Sequence, residues 1–274
     1  MKGILYIVST PIGNLEDISL RALRVLKEVD VIAAEDTRHS LKLLNHYGIS
    51  RPLISYCGEK EKARSEEVIK RLNSGQSVAL ISDAGTPGIS DPGSVLIKKA
   101  IEEGIDIIPV PGPAAFVAAL SISGFSTEEF IFCGFLPAKK SQRQKALKEL
   151  SLEKRTIVIY EAPHRILESV ADINEIFGER NAVLVKEITK LYEEVIRGKI
   201  PEILKRLNSS KIAGEYVIVV EGKPEEIKAN IEDAMMEIKS LIRKGLGRKD
   251  AVKRIAEEYG LSKKELYDKS LAGG

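Results

Sequence analysis

The sequence is poor in the residues that build metal centres, disulfides and membrane spans. Its 274 positions hold two cysteines, three histidines and no tryptophan. Cys57 and Cys133 lie in apolar, strand-like runs without metal-ligand spacing, so we expect reduced thiols, a cytoplasmic location and no built-in metal site. No uncharged apolar run reaches the roughly 18–20 residues that a membrane-spanning helix requires. Residues 1–9 are typical of a strand rather than a signal peptide, so we expect no membrane partner.

The composition predicts a well-packed protein with more than one domain. Hydrophobic residues make up 43% and charged residues 30% of the chain, which excludes a disordered or fibrous protein. Its length exceeds the size of about 100–150 residues that is most common for a single domain. The formal net charge is only +2, so any binding of nucleic acid would depend on local basic patches.

Short apolar runs alternate with longer segments of helical period, which predicts an α/β fold. The strand-like runs span residues 4–8, 29–34, 53–57, 78–82, 105–110, 130–135, 156–160, 182–185, 193–197 and 216–220. The helix-like segments span residues 19–28, 60–73, 94–103, 142–150, 166–177 and 200–207. The first five strands favour a mostly parallel sheet covered on both faces. The last two strands favour a mixed, partly antiparallel sheet.

Proline and glycine concentrate at two places that predict domain boundaries. Residues 111–113 close the first series of strands, and residues 222–224 close the second. We therefore expect an N-terminal α/β domain over 1–112, a second α/β domain over 113–223 and a helical tail over 224–274. In the tail, helices are predicted over 230–244, 251–259 and 262–271, and the pair 251–259 and 262–271 resembles a helix-turn-helix unit.

Three loops rich in glycine, proline and small hydroxyl residues follow predicted strands. They cover residues 9–14, 83–93 and 111–115. Each one taken singly is also explained as a tight turn, but three at the carboxyl ends of strands predict a shared ligand site. None contains a phosphate-binding loop or the dinucleotide-binding glycine pattern, which weakens kinase and dehydrogenase interpretations.

Charged residues follow three other strands, at residues 35–39, 161–165 and 186–187. Burying such groups costs several kcal/mol unless they pair with each other or meet a ligand. Two interpretations remain open: ion pairs that join the two domains, or a polar cleft.

Four segments together carry a resemblance to a known family. They are Thr10-Pro11-Ile12-Gly13-Asn14-Leu15, Ala34-Glu35-Asp36-Thr37-Arg38, residues 82–93 (SDAGTPGISDPG) and Tyr160-Glu161-Ala162-Pro163-His164-Arg165. The combination resembles the ribosomal RNA small subunit methyltransferase I family, within the tetrapyrrole methylase superfamily. The resemblance covers the whole chain, including the helical tail.

The resemblance implies two α/β domains that hold S-adenosylmethionine in the cleft between them, in a homodimer. It implies 2′-O-methylation of a cytidine in the decoding centre of 16S rRNA, with the rRNA or the small ribosomal subunit as partner. The positions that it assigns to the cofactor site are Pro11 and Gly13 at its opening, Asp83, Ala84, Gly85 and Thr86 around methionine and ribose, Ala114 and Ala115 as backbone contacts, and Glu161, Gly214 and Glu215 on the second-domain wall.

The chemistry of methyl transfer to a hydroxyl group requires alignment and a proton acceptor. Asp36, Glu161 and Glu187 are the candidate acceptors, and the residues leave the choice among them open. Lys186 or Arg38 is a candidate electrostatic partner. Arg38 and Arg165 also suit phosphate contacts, because the guanidinium group matches phosphate geometry.

The tail carries a cluster of basic residues that is a candidate RNA contact. Between positions 243 and 254 the basic residues Arg243, Lys244, Arg248, Lys249, Lys253 and Arg254 accompany the single acid Asp250. The cluster is equally explained as a solvated helix face. Two other functions stay open: a small-molecule methyltransferase of the tetrapyrrole kind, which fits the loops alone, and a non-enzymatic nucleic-acid-binding protein, which fits the tail alone.

Overall fold

The chain folds into two units, Met1–Lys223 and Pro224–Gly274. The structure is a computed structural model that describes residues 1–58, 61–224 and 231–272. The strands are β1 (Leu5–Val8), β2 (Val31–Ala34), β3 (Leu53–Ser55), β4 (Val78–Ile81), β5 (Ile107–Val110), β6 (Phe130–Phe135), β7 (Thr156–Glu161), β8 (Asn181–Lys186), β9 (Glu194–Lys199) and β10 (Tyr216–Val220). The helices are α1 (Leu20–Glu28), α2 (Thr37–His46), α3 (Glu61–Asn73), α4 (Ser94–Glu102), α5 (Ala115–Ser121), α6 (Lys140–Leu150), α7 (Ile166–Phe177), α8 (Ile200–Asn208), α9 (Ile231–Arg243), α10 (Arg248–Tyr259) and α11 (Lys263–Ala272).

The first sheet is parallel throughout, as predicted, with the strand order β3-β2-β4-β1-β5. Its central strands are apolar at successive positions because both faces are covered. Ile32 and Ala34 pack with α1 and α2 on one face. Val31 and Ala33 pack with α3 and α4 on the other. The carboxyl ends of these strands therefore form the accessible edge of the sheet.

Helix α2 is absent from the sequence-based prediction, which was wrong at this point. The buried face of α2 is narrow and consists of Ser40, Leu43 and Leu44, so its first turn has no apolar period to detect. Asp36 is the N-cap, and its carboxylate accepts a hydrogen bond of 2.8 Å from the Arg38 amide. An aspartate in this position stabilises the first turn of a helix.

The second sheet is mixed, with the order β6-β7-β10-β8-β9. Strand β10 is antiparallel to both of its neighbours, which confirms the prediction of a partly antiparallel arrangement. Helices α6, α7 and α8 cover one face. In the described residues, α5 packs on the opposite face against Val158, Val183 and Val219. The side of the sheet that carries α5 is covered less fully, and Val185 and Val217 on this side line the cavity described below.

The second unit is a three-helix module with its own apolar core. Ala234 and Ile238 of α9 pack against Ile255 of α10 and Leu266 of α11. Gly260 ends α10 in the left-handed conformation at a φ of 63°, which a residue without Cβ adopts at little cost. The predicted first residues of two helices, Lys60 and Asn230, lie outside the described residues.

Candidate functional site

A cavity of about 290 Å³ lies where the carboxyl ends of the first sheet meet the less covered face of the second. The first domain contributes Ile12, Ala84, Gly85, Thr86, Ile89, Ser90 and Asp91. The remaining lining residues are Ala114, Ala115, Phe116, Phe135, Tyr160, Glu161, Ala162, Pro163, Val185, Ile188, Lys190, Glu215, Tyr216 and Val217. A concave, largely apolar site with a few polar groups is typical of small-molecule binding.

The three strand-end loops are bonded to one another beside this cavity. The amides of Thr10 and Gly85 each donate to the other's carbonyl, over 2.8 and 3.1 Å. The Ser9 and Thr86 hydroxyls lie 2.8 Å apart. A Cβ on Gly112 would lie 2.9 Å from the Ser9 Cβ, closer than real side chains approach. The loops thus form one assembly whose small residues leave backbone atoms accessible.

Five positions of the predicted cofactor set line the cavity from this assembly: Ala84, Gly85, Thr86, Ala114 and Ala115. Pro11 is buried and is not among the lining residues, and Gly13 lies between the two domains. A Cβ on Gly13 would lie 2.3 Å from Lys190 Cγ, and the Asn14 amide donates to the Thr189 hydroxyl over 3.2 Å. Gly13 therefore permits close contact of the first domain with the turn after β8.

Asp36 and Asp83 lie outside the cavity lining. The Asp83 carboxylate accepts a hydrogen bond of 3.0 Å from the Asp36 amide. The Asp36 carboxylate accepts from the Arg38 guanidinium over 2.9 Å, and this bond chiefly lowers the pKa of Asp36 to about 2. The structure brings Asp36 together with Arg38, whose side chain is 89% exposed.

Glu161 lines the cavity, but its carboxylate is fully engaged within the second domain. It accepts hydrogen bonds from the Ser169 hydroxyl and the Ala162 amide. It also forms an ion pair of 3.3 Å with Arg165, and Arg165 donates to the Leu136 carbonyl over 2.6 Å. Arg165 is 17% exposed, so most of its surface contacts protein.

The remaining predicted residues of the second domain meet at the turn after β8. The Glu187 carboxylate accepts from Lys190 over 2.8 Å and from the Glu215 amide over 2.9 Å. Burial is the largest single influence and acts to raise the pKa of Glu187, but the bonds from Lys190 and the Glu215 amide, together with the charges of Lys190 and Lys186, outweigh it, and the net shift is downward. Gly214 leaves room for Glu187, since a Cβ there would lie 2.4 Å from its carboxylate carbon. Lys186 donates to the Lys211 carbonyl over 3.4 Å.

Two charged lining residues are absent from the sequence-based prediction of the site, Lys190 and Asp91. Lys190 bonds to Glu187 and Glu215, and its only sequence signal is its position in the turn after β8. Asp91 lies in the segment 82–93, which the sequence analysis had singled out for its glycines. Burial, followed by the negative charge of Glu35, raises the pKa of Asp91 to about 7, against a smaller opposing effect of the Ser82 hydroxyl.

Metal ligands and membrane spans can be assessed for residues 1–58, 61–224 and 231–272. Within these ranges no group of three or more His, Cys, Asp or Glu residues is arranged to hold a metal ion. No helix within them is long and apolar enough to cross a membrane.

Comparison with known families settles what kind of protein carries this cavity. The sequence profile of tetrapyrrole (corrin/porphyrin) methylases matches residues 4–204. The chain belongs to the tetrapyrrole methylase family. As a member of that family it is a methyltransferase, and the expected fold of two α/β domains followed by C-terminal helices is confirmed.

Relatives of this tetrapyrrole methylase include proteins named ribosomal RNA small subunit methyltransferase I. The one from Halalkalibacterium halodurans is 44% identical over 97% of this chain and 94% of its own length. The one from Thermotoga maritima is 48% identical over 81% of this chain and 99% of its own length. The tetrapyrrole methylase therefore belongs to this rRNA methyltransferase group, as the four sequence segments predicted.

The solved structure of a cobalamin biosynthetic enzyme, cobalt precorrin-4 methyltransferase, shares the fold. It has a TM-score of 0.60 at 18% identity, covering 80% of this methylase and 94% of that chain. At this identity the likeness concerns the fold alone. The match leaves about a fifth of the chain uncovered, and the helical module is of that size.

Proposed function

We propose that this methyltransferase transfers a methyl group from S-adenosylmethionine to the 2′-hydroxyl of a cytidine in the decoding centre of 16S rRNA. The proposal rests on the similarity to relatives named for small-subunit rRNA methylation, such as the one that is 44% identical over 97% of this chain. The cavity at the junction of the two domains supports it, because its small-residue loops leave space for a ligand.

The residues of the cavity fit S-adenosylmethionine as the methyl donor. Ile12, Ile89 and Phe116 offer apolar surface for a purine ring. The carboxylate of Glu215 favours a ligand with a positive sulfonium and an ammonium group. Ala84 and Ala115 leave the backbone open to hydrogen bonding. When bound, the donor supplies an electrophilic methyl group, and the protein aligns the ribose hydroxyl with it.

The helical module supports an RNA substrate through its exposed basic cluster. All six basic residues predicted for RNA phosphate contact are exposed: Arg243, Lys244, Arg248, Lys249, Lys253 and Arg254. In the described part of the chain they form no ion pairs, so their charges remain available for phosphates. Arg38 of the first domain is also exposed and is a further candidate contact for RNA phosphates.

The proposal includes a homodimer in the cytoplasm. Strand β6 is at the edge of the second sheet, where Phe130 and Phe135 are 39% and 51% exposed. Val117 on the neighbouring helix α5 is 51% exposed. Exposed aromatic residues on a sheet edge are typical of a protein interface. Sedimentation of the wild type and of Phe130→Glu tests the dimer, and only a variant that becomes monomeric supports this interface.

The decisive experiment measures transfer of radiolabelled methyl to purified small ribosomal subunits, to free 16S rRNA and to a tetrapyrrole precursor in parallel. Nucleoside analysis then identifies the product. Label recovered as 2′-O-methylcytidine supports the proposal. Label found only on the tetrapyrrole would contradict it and would favour a small-molecule methyltransferase on the same fold.

A further inference from the structure

We propose that Asp91 is the catalytic proton acceptor, the group that takes the proton of the ribose 2′-hydroxyl during methyl transfer. This inference rests on the proposed function and deepens it by assigning a role within the same cavity. Asp91 is outside the three candidates that the sequence analysis considered.

Other carboxylates at the cavity are already engaged with neighbouring groups. Glu161 is bonded to Ser169, to the Ala162 amide and to Arg165. The Glu215 carboxylate lies 3.0 Å from Lys190, and its side chain is 75% exposed. Asp91 lines the cavity and, among the described residues, forms no ion pair. Its carboxylate accepts a hydrogen bond from the Ser82 hydroxyl, which leaves further lone pairs that can accept a proton from a bound hydroxyl group.

The backbone of the surrounding loop fixes the position of Asp91. The Gly88 amide donates to the Pro92 carbonyl over 3.2 Å, which closes the loop around Asp91. The Glu61 carboxylate accepts from the Gly93 amide over 2.8 Å and so holds the loop against α3. Ser90 has a φ of 64°, a left-handed conformation that the surrounding bonds maintain. A base held in place in this way needs no rearrangement before the reaction.

The electrostatic environment of Asp91 suits proton transfer near neutral pH. Three carboxylates carry the same charge as ionised Asp91 and therefore raise its pKa: Glu35 after β2, Asp83 after β4 and Glu215 before β10. Lys190 is the cation that lines the same cavity, and it is bonded to Glu187 and Glu215. Tyr160 of β7 is close enough for Asp91 to raise the pKa of its hydroxyl, after the larger effect of burial. The pKa of Asp91, about 7, matches that of an efficient general base.

The proposed step conserves atoms and electrons. The ribose 2′-oxygen forms a bond to the methyl carbon while the carbon–sulfur bond of the sulfonium donor breaks and its electron pair remains on sulfur. The hydroxyl proton passes to the Asp91 carboxylate, which becomes a neutral carboxylic acid. Solvent then takes this proton and restores the carboxylate for the next turnover.

The test is Asp91→Asn, which keeps the size of the side chain and removes its ability to accept the proton. Asp106→Asn is the matched control, because Asp106 is exposed at the opposite end of the same sheet, before β5. Measured with saturating S-adenosylmethionine and small subunits, kcat should fall about 10²–10⁴-fold in Asp91→Asn, the usual contribution of a general base. The control should match the wild type.

Calorimetry of S-adenosylmethionine binding provides a readout that is independent of turnover and also shows that the variant is folded. We expect the dissociation constant of Asp91→Asn to stay within about threefold of the wild type. In the wild type log kcat should rise with pH and level off near neutral pH, and the residual activity of the variant should lack this rise.

A loss of kcat below tenfold in Asp91→Asn, or a dissociation constant weakened as strongly as kcat, would overturn the role of Asp91. The second result would make it a ligand of the methyl donor. A wild type that methylates no RNA would instead overturn the proposed function, and the role of Asp91 with it.

Discussion

The two α/β domains use their sheets differently, and the cavity results from that difference. The first sheet is parallel and covered by helices on both faces, so a ligand meets only its edge and its loops. The second sheet has three helices on one face, and α5 is the helix packed on the other in the described residues. Val185 and Val217 thus remain available as a wall. Backbone loops come from one domain and a side-chain surface from the other.

The largest expected effect concerns how the second domain holds its covering helices. Arg143 of α6 and Asp172 of α7 form a buried ion pair of 2.7 Å, with side chains 1% and 4% exposed. Asp172→Ala leaves the guanidinium buried without its one buried carboxylate partner and should lower the free energy of unfolding by about 3–5 kcal/mol. Denaturant titration followed by circular dichroism measures this change.

Glu168→Ala is the matched control for that prediction. Glu168 also pairs with Arg143, over 3.4 Å, but its side chain is 74% exposed. The control should change the free energy of unfolding by about 0–1 kcal/mol. Equal losses in the two variants would show that burial of the charge does not determine the effect.

The next effect tests whether small residues are what opens the cavity. Ala115→Phe places a ring in the cavity and should weaken S-adenosylmethionine binding about 10–100-fold, which corresponds to an overpacking cost of about 1.4–2.7 kcal/mol. Ser121→Phe adds a ring at the exposed end of the same helix and should leave binding unchanged. Calorimetry distinguishes the two variants, and similar affinities would contradict the assignment of this lining.

A smaller effect contrasts two groups of lysines within the helical module. Lys249→Ala combined with Lys253→Ala removes two charges from the basic cluster. The slope of log K for rRNA against log salt should become shallower by about 1.4, since each phosphate contact contributes about 0.7. Lys264→Ala with Lys269→Ala removes equal charge from α11 and should leave the slope unchanged. Equal changes would show that only total charge matters.

The last effect concerns the pH dependence of stability. The folded protein keeps the Asp91 proton up to a pKa of about 7, whereas the ordinary value is 3.8. Ionisation therefore increasingly disfavours the folded state as pH rises from about 4 to 7, and the full penalty is reached above 7. Asp91→Asn lacks this penalty. The Tm of Asp91→Asn minus that of the wild type should grow through this window in the absence of ligand, and a constant difference would contradict the shifted pKa.

The fold was largely predictable, because buried parallel strands are continuous apolar runs and their carboxyl ends are marked by glycine and proline. The site was less so. Charge at a strand end indicated Asp36, yet Asp36 caps α2 and bonds to Arg38. Asp91 and Lys190 gave no comparable signal, since their position depends on how loops from different strands fold over the cavity. Their burial and pairing are tertiary properties that one sequence does not display.

Gly13 shows that the two domains are fitted to each other. The turn carrying Thr189 and Lys190 rests where a side chain on Gly13 would otherwise be, so neither surface can change independently. A hybrid enzyme that joins the first domain of one family member to the second domain of another must transfer this turn together with the loop it contacts. The fit between Gly13 and this turn then determines whether the recombined domains enclose a functional cavity.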